Sequence, residues 1–379
     1  MSAAEAAPPA VATDDARFMG LALSLGRRGL GNTWPNPAVG AVIVRDDGEG
    51  PVIVGRGWTQ PGGRPHAETE ALRRAGAAAK GATMYVTLEP CSHHGKTPPC
   101  ADAIIAAGIG RVVAALEDAN PEVAGRGHAR LRAAGIAVTV GEGAAEAHRD
   151  HAGHIRRMRE GRPQVTLKLA VSADAKAGLA GRKPVAITGE AVRARVHLMR
   201  AMHDAILIGI GTALADDPAL TCRLPGMAER SPVRVVLDAN LRLPLTSQLV
   251  RTAQRTPVWV FAGMDADIAR EEALRGFGVD VVRLEANRGR FEPLAVLGLL
   301  GARGTTRLLV EGGPMVAASV IDADLVDEAA LFRSDTVIGA DGIGAIDGHG
   351  LDVLTQSPRL RRIGDETVGA DRLETYERV

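Results

Sequence analysis

The stretch EPCSHHGKTPPC, Glu89 to Cys100, read together with His66-Ala67-Glu68 upstream of it, decides the fold of the first half of this chain. It holds two of the three cysteines, Cys91 and Cys100. One imidazole and two thiolates supply three of the four tetrahedral N/S ligands that zinc prefers, leaving the fourth position for a water whose pKa the metal lowers to about 7. A structural staple closes all four positions; an open one points to catalysis. Glu68 lies two residues from His66, so the pair does not share a helical face, and its carboxylate can approach the bound water from the side. Taken singly, each residue has a plainer reading: a small buried hydrophobe for a cysteine, surface or satisfied core for a histidine. Their order and combination carry the argument.

Working outward, a helical pattern runs from Asp14 through Phe18, Leu21, Ala22 and Leu25 and breaks at Gly29, Gly31 and Pro35, after which a loop carries Asn36. VGAVIV (39–44), the polar Asp47-Gly48 turn and PVIVGRG then read as a hairpin. His66 opens a helix that ends at Gly76, and ATMYVTLEP is a strand that delivers Pro90-Cys91 at its end. A second helix starts beside Cys100, the strand RVVAAL follows with Asp118 and Asn120 in the next loop, and a further βα unit leads to one charged helix over 144–160. This alternation predicts a layered α/β domain with the metal set at strand ends and helix N-termini, where dipoles favour thiolates. A carboxylate beside such a centre is the proton shuttle of zinc nucleobase deaminases.

At 379 residues the chain exceeds one ordinary core, and a boundary is expected near Gly161 to Pro163. Lys+Arg and Asp+Glu both number 45 and aromatics make up 3%, which disfavours nucleic acid as a partner: there is no bulk field to recruit it and few rings to stack its bases. No apolar run approaches the roughly 20 residues of a membrane span, so no membrane partner and a cytoplasmic location are expected. The Ala/Pro-rich residues 1–13 read as a disordered leader without signal-peptide character. Cys222 is left without an intramolecular partner, so no disulfide framework is expected.

Beyond the boundary, TLKLAVS, AILIGIGT, VRVVLDAN, PVWVFA, VDVVRL and TRLLVEGGPM alternate with helical segments, and their continuous apolar runs predict buried parallel strands. VEGGP stands where a strand meets a helix, with glycines that let backbone approach a phosphate. Neither it nor IGIGT is a G-x-G-x-x-G fingerprint.

Taken in order, HAE, TLEPCSHHGKTPPC, VAGRGHARLRAAGI, TLKLAVS, ILIGIGTALADDPALT and LLVEGGP resemble the bifunctional riboflavin-biosynthesis deaminase-reductases over about residues 14 to 345. The eight residues between Cys91 and Cys100 distinguish this family from deaminases with P-C-x-x-C. The resemblance implies a cytidine-deaminase-like three-layer α/β/α domain (14–161) followed by a dihydrofolate-reductase-like α/β domain (162–379). The first would use one zinc per chain to hydrolyse the amine of 2,5-diamino-6-(5-phosphoribosylamino)pyrimidin-4(3H)-one. The second would use NADPH to reduce the ribosyl side chain, giving 5-amino-6-(5-phosphoribitylamino)uracil. A homodimer or larger homo-oligomer is implied as well.

Carried over by position, the resemblance makes His66, Cys91 and Cys100 zinc ligands and Glu68 the catalytic proton shuttle. Asn36, His93 and Lys96 become substrate contacts; Lys96 reads either as a cation for the substrate phosphate or as a solvated loop charge, and His93 either as a contact or as a residue orienting a ligand. In the second half Arg200, Leu220, Arg223 and Glu311 map to substrate contacts. Arg200 reads equally as a surface charge, and Lys168 either reaches substrate or caps a sheet edge. Nucleotide contacts map to Ala170, Thr212, Asp216 and Gly313, Pro314, Met315, Val316, Ala317, Ala318 and Ser319. Four positions depart from the family pattern: Ala175 replaces a glycine, Pro184 a substrate-contacting serine, Ala186 a tryptophan over the cofactor and Ala239 a serine. These departures keep open an active deaminase with a non-catalytic reductase-like domain. A third reading, a structural zinc in a nucleic-acid-binding protein, is opposed by neutral charge, scarce aromatics and the spare Glu68.

Overall fold

A computed structural model describes residues 14–93, 98–179 and 186–379, so the leader, Lys96 and Pro184 lie outside the described residues. The chain divides into two units, residues 14–29 with 36–155, and residues 30–35 with 156–379.

The first unit is built on a five-stranded sheet in the order Pro51–Trp58, Gly40–Asp46, Thr83–Val86, Arg111–Ala114, Ala137–Val140. The first two pairings are antiparallel and the last two parallel. Strand side chains alternate between faces. Ala41 and Ile43 therefore pack with Ala71, Met84, Ala101 and Ile104 on one side. Val42 and Val44 pack with Phe18, Met19, Ala22 and Leu23 of helix Asp14–Arg27 on the other. Helices on both faces make the expected three layers, and each fully buried large apolar side chain contributes roughly 1.5–3 kcal/mol.

The second unit carries a nine-stranded sheet in the order Asp280–Arg283, Val258–Ala262, Val233–Leu237, Ala205–Gly209, Arg307–Val310, Gln164–Val171, Glu328–Arg333, Asp371–Arg378, Leu360–Val368. The first seven run parallel and the last two form an antiparallel hairpin. Alternation again splits the core: Ala205 and Leu207 face one cluster, Ile206 and Ile208 the other. Parallel strands place all seven carboxyl ends on one rim, where ligands bind in such sheets.

Two expectations need correction. The charged segment 144–160 is two helices, Ala144–Asp150 and Ala152–Glu160, broken at His151, whose buried ring reaches Thr87 Oγ1 at 3.1 Å. Lys168 is not on a sheet edge: its strand lies between Arg307–Val310 and Glu328–Arg333. The compact units part at Ile155/Arg156, a few residues ahead of the boundary expected near 161–163, and Leu30–Pro35 lies in the second. Asp327 draws the chain in at that point, pairing with Arg156 at 3.2 Å and Arg162 at 2.6 Å. The tail beyond residue 323, for which the apolar pattern gave no reading, supplies three strands of the sheet.

Ala175, standing where the resemblance expects glycine, has φ 60. It closes a turn in which Ser172 Oγ accepts from Lys176 N at 2.9 Å and donates to Asp174 at 2.6 Å. A left-handed residue with a Cβ costs about 1–2 kcal/mol, partly offset by the roughly 0.5–1 kcal/mol of backbone entropy that glycine loses on folding. Ala175→Gly is therefore expected to stabilise the unit by about 0.5–1 kcal/mol, raising Tm by about 1–4 °C in a thermal melt. A fall in Tm would mean that the alanine methyl packs favourably enough to outweigh its backbone strain.

Candidate functional site

In the first unit, His66 is the N-cap of helix Ala67–Ala75 in an extended conformation, and its ring makes no cap bond, so it turns away from the helix end. Cys91 follows the strand Thr83–Val86 through Thr87–Pro90, and Cys100 is the first residue of helix Cys100–Ala106. His66 Nδ1 lies 3.3 Å from Cys100 Sγ and 3.8 Å from Cys91 Sγ. All three donor atoms fall within 4.8 Å of one another. Tetrahedral zinc with Zn–N near 2.05 Å and Zn–S near 2.3 Å requires N···S separations of about 3.5 Å, so the donor set fits the metal in both chemistry and spacing.

The Cys100 backbone N–H donates to Cys91 Sγ at 3.2 Å. A hydrogen bond from the Cys100 thiol holds Cys91 down at about 4, and the same bond together with burial pushes Cys100 up. The Cys100 thiol thus donates toward the Cys91 sulfur, and a divalent cation bound by both would take the place of that proton. Glu68, on the first turn of its helix, is 4% exposed. Burial pushes its carboxyl up, and the neighbouring His66 opposes this. Asn36 Nδ2 donates to the Gly63 carbonyl at 2.8 Å and so steadies the loop leading to His66. His93 is exposed on the loop between the cysteines.

Glu89 was read from sequence only as a strand end. Its carboxylate accepts from Asp118 N and Gly125 N on one oxygen and Gly127 N and His128 N on the other. It also groups with Glu117 and His128 at metal-like spacing. Four N–H donors already engage its oxygens, so this group reads as a structural knot rather than a second metal centre. Asp118 in turn pairs with His154 at 2.8 Å. A buried acid surrounded by amides leaves no periodic trace in a sequence.

In the second unit, the carboxyl rim of the parallel strands gathers most of the expected residues. Strand Ala205–Gly209 runs into helix Ile210–Asp216, which holds Thr212 and Asp216, and strand Val233–Leu237 delivers Ala239. Strand Arg307–Val310 ends at Glu311 and passes through Gly312-Gly313 into helix Pro314–Asp322. A Cβ on Gly312 would lie 2.3 Å from Ile208 Cα, and one on Gly313, at φ 43, would lie 2.7 Å from Thr212 Oγ1. The glycine pair therefore lets two strand ends close up and sets a helix N-terminus beside Thr212, an arrangement suited to phosphate. Ala317 and Ala318 are buried in the core, whereas Met315 is exposed. Ala170 packs near Phe332, Ala239 is buried with its carbonyl accepting from Gly263 N, Ser319 is half-buried, and Ala186 is exposed.

Glu311 accepts from Arg200 Nε at 2.8 Å and Nη2 at 2.9 Å, while Arg200 Nη1 donates to the Thr221 carbonyl at 3.2 Å. The surface-charge reading of Arg200 therefore fails. Lys168 points into the same region, 6.0 Å from the Phe332 ring, and burial pushes it below the usual lysine range. Leu220, at φ 52, spends its side chain in the core, and Arg223 is exposed. His197 was not foreseen from sequence. Its Nδ1 lies 3.0 Å from the same Thr221 carbonyl, and its position one turn before Arg200 was the available signal.

A centre of deaminase type in one unit and a strand-rim site in the other define a two-site deaminase-reductase. Residues 12–116 match the cytidine and deoxycytidylate deaminase zinc-binding region, and residues 163–372 match the RibD C-terminal domain. The riboflavin biosynthesis protein RibD of Escherichia coli is 41% identical over 94% of this chain and 97% of its own length. That of Mycobacterium tuberculosis is 38% identical over 94% and 95%. Among solved structures, Acinetobacter baumannii RibD superimposes with a TM-score of 0.84 at 34% identity, covering 96% of this chain and 99% of that one. A diaminohydroxyphosphoribosylaminopyrimidine deaminase/5-amino-6-(5-phosphoribosylamino)uracil reductase from Thermotoga maritima gives 0.82 at 33%, with the same coverage. The chain belongs to the RibD family of bifunctional riboflavin-biosynthesis enzymes.

Proposed function

We propose that this chain catalyses both reactions named for its relatives, hydrolytic deamination of 2,5-diamino-6-(5-phosphoribosylamino)pyrimidin-4(3H)-one within 14–161 and reduction of the ribosyl side chain by NADPH within 162–379. The observation that carries the reading is the His66, Cys91, Cys100 donor triangle with buried Glu68 beside it. His66 and the two cysteines hold zinc, which when bound supplies the Lewis acid that acidifies a water. Glu68 takes the proton and returns it to the leaving amine. Asn36, His93 and Lys96 bind the substrate, and the Lys96 ammonium supplies a cation for its phosphate.

In the reductase half, helix Pro314–Asp322 offers its N-terminal N–H groups to the cofactor phosphates, alongside Thr212, Asp216, Ala170, Ala186 and Ala239. Lys168, Arg200, Leu220, Arg223, Glu311 and Pro184 serve the substrate. The buried charges Lys168, Arg200 and Glu311 support an active domain, because a purely structural one gains little from charge that burial makes expensive. No helix of the described residues is long and apolar enough to cross a membrane. The reading includes a cytoplasmic homo-oligomer acting on small molecules.

The test supplies purified protein with the deaminated ribosyl intermediate and follows NADPH absorbance, bypassing the zinc centre. Oxidation dependent on that intermediate is expected. Ammonia release from the diaminopyrimidine without NADPH oxidation would leave a deaminase joined to an inactive reductase-like domain.

A further inference from the structure

Arg200 entered as a substrate contact, but the geometry gives it other work. Its Nε/Nη2 edge, one of the two that can fork onto an oxyanion, is already closed on the Glu311 carboxylate at 2.8 and 2.9 Å. Its Nη1 holds the Thr221 carbonyl at 3.2 Å, and His197, one turn earlier on helix Glu190–Ala201, reaches the same carbonyl at 3.0 Å. Both side chains of the pair are largely buried, 13% exposed for Arg200 and 8% for Glu311. A buried, bidentate arginine fixes the orientation and the charge of the acid it holds.

We propose that Arg200 is a positioning residue of the reductase site that acts through Glu311 and the 220–223 segment, so that its loss impairs turnover even of a substrate lacking a phosphate. This rests on the reductase reading above. Glu311 faces four charged or titratable groups: Arg200 and His197 from helix Glu190–Ala201, buried His203 just beyond that helix, and Lys168 from strand Gln164–Val171. Burial works to raise the Glu311 carboxyl, but the hydrogen bonds and charge of Arg200, with Lys168 and His197 behind them, outweigh it and hold the group below its ordinary value. Lys168 sits on the next strand of the same rim, so Glu311 presents a fixed negative charge between two cations. Arg223, exposed at the end of the segment that Arg200 and His197 hold, is the side chain left to meet substrate phosphate from outside.

The experiment measures NADPH oxidation by the full-length protein with the deaminated ribosyl intermediate and with its phosphate-free counterpart, for wild type, Arg200→Lys, Arg200→Gln, Glu311→Gln and Arg223→Ala. Thermal melts and ammonia release on the same preparations report whether each variant is folded. Arg200→Lys is expected to lower kcat about tenfold or more on both substrates, because an ammonium cannot hold the fork, whereas Arg223→Ala raises KM on the phosphorylated substrate alone. Arg200→Gln is expected to move the acid limb of the kcat profile to higher pH, since Glu311 loses the partner that keeps it ionised. Glu311→Gln abolishes that limb, and adding Arg200→Lys to Glu311→Gln costs little more.

If the Arg200→Lys defect disappears on the phosphate-free substrate and the acid limb stays where it is, Arg200 is a phosphate ligand and the proposal falls. If Arg200→Gln does not fold, Arg200→Lys and the Glu311→Gln double variant still decide it through kcat. A wild type that oxidises no NADPH overturns the reductase reading and this inference together, an outcome distinct from a working wild type with a phosphate-limited defect.

Discussion

Glu68→Gln is expected to reduce ammonia release by about 10²–10⁴-fold, the usual contribution of a positioned acid–base group, while zinc stays bound near one equivalent per chain. Glu68 touches the donor triangle without belonging to it: the three atoms that close within 4.8 Å come from His66, Cys91 and Cys100. Glutamine keeps the shape and the first-turn position but can neither take a proton from water nor return one to an amine. Glu68 is 4% exposed, so removing its charge also relieves desolvation, and the thermal midpoint of the variant should not fall. Ammonia release and metal analysis on one preparation check this, with NADPH oxidation on the deaminated intermediate as the internal control. Zinc lost together with activity would make Glu68 a fourth ligand and the site a closed one.

The donor triangle was legible in the sequence because each donor sits at a punctuation point. His66 precedes an apolar helical repeat, Cys91 ends a strand pattern and Cys100 begins a helix, so local periodicity alone brings three donors to element ends. The reductase rim was legible only through resemblance, since Thr212, Ala239 and Gly313 follow three separate strands whose ends meet once a parallel sheet has formed.

What escaped was non-local. Strand Leu360–Val368 is charged and mostly exposed, with no clean alternation, and exists by pairing with Asp371–Arg378. Leu30–Pro35 joins the second unit, where Trp34 meets Trp259 edge-on at 6.3 Å, a contact across more than two hundred residues. The break at His151 follows from a buried imidazole reaching Thr87, and no helical propensity encodes that.

Glu89→Gln tests the largest of these hidden features. The carboxylate is fully buried and collects four backbone N–H groups, at 3.2 and 2.9 Å on one oxygen and 2.8 and 3.1 Å on the other. A glutamine of the same shape must turn an NH₂ toward two of those donors, leaving them unsatisfied and opposed to hydrogens of its own. Bonds to a charged acceptor contribute about 1.5–3 kcal/mol each, and a buried donor left without a partner costs about 1–3 kcal/mol. Relaxation recovers part of that, so a net loss of about 3–5 kcal/mol is expected, comparable with breaking a buried ion pair. For a unit of this size that lowers Tm by roughly 6–20 °C.

Because Glu89 stands two residues before Cys91 and its partners span 118–128, the loosened loop should also weaken zinc retention. Chelator challenge followed by metal analysis reads that directly. Glu89→Gln therefore differs from Glu68→Gln in kind: it loses stability and metal together, and activity as a consequence. A melt shifted by less than about 3 °C with zinc retained would mean that the four amides find water when the carboxylate is gone, and that the 118–128 loop is held by Asp118 and His154 instead.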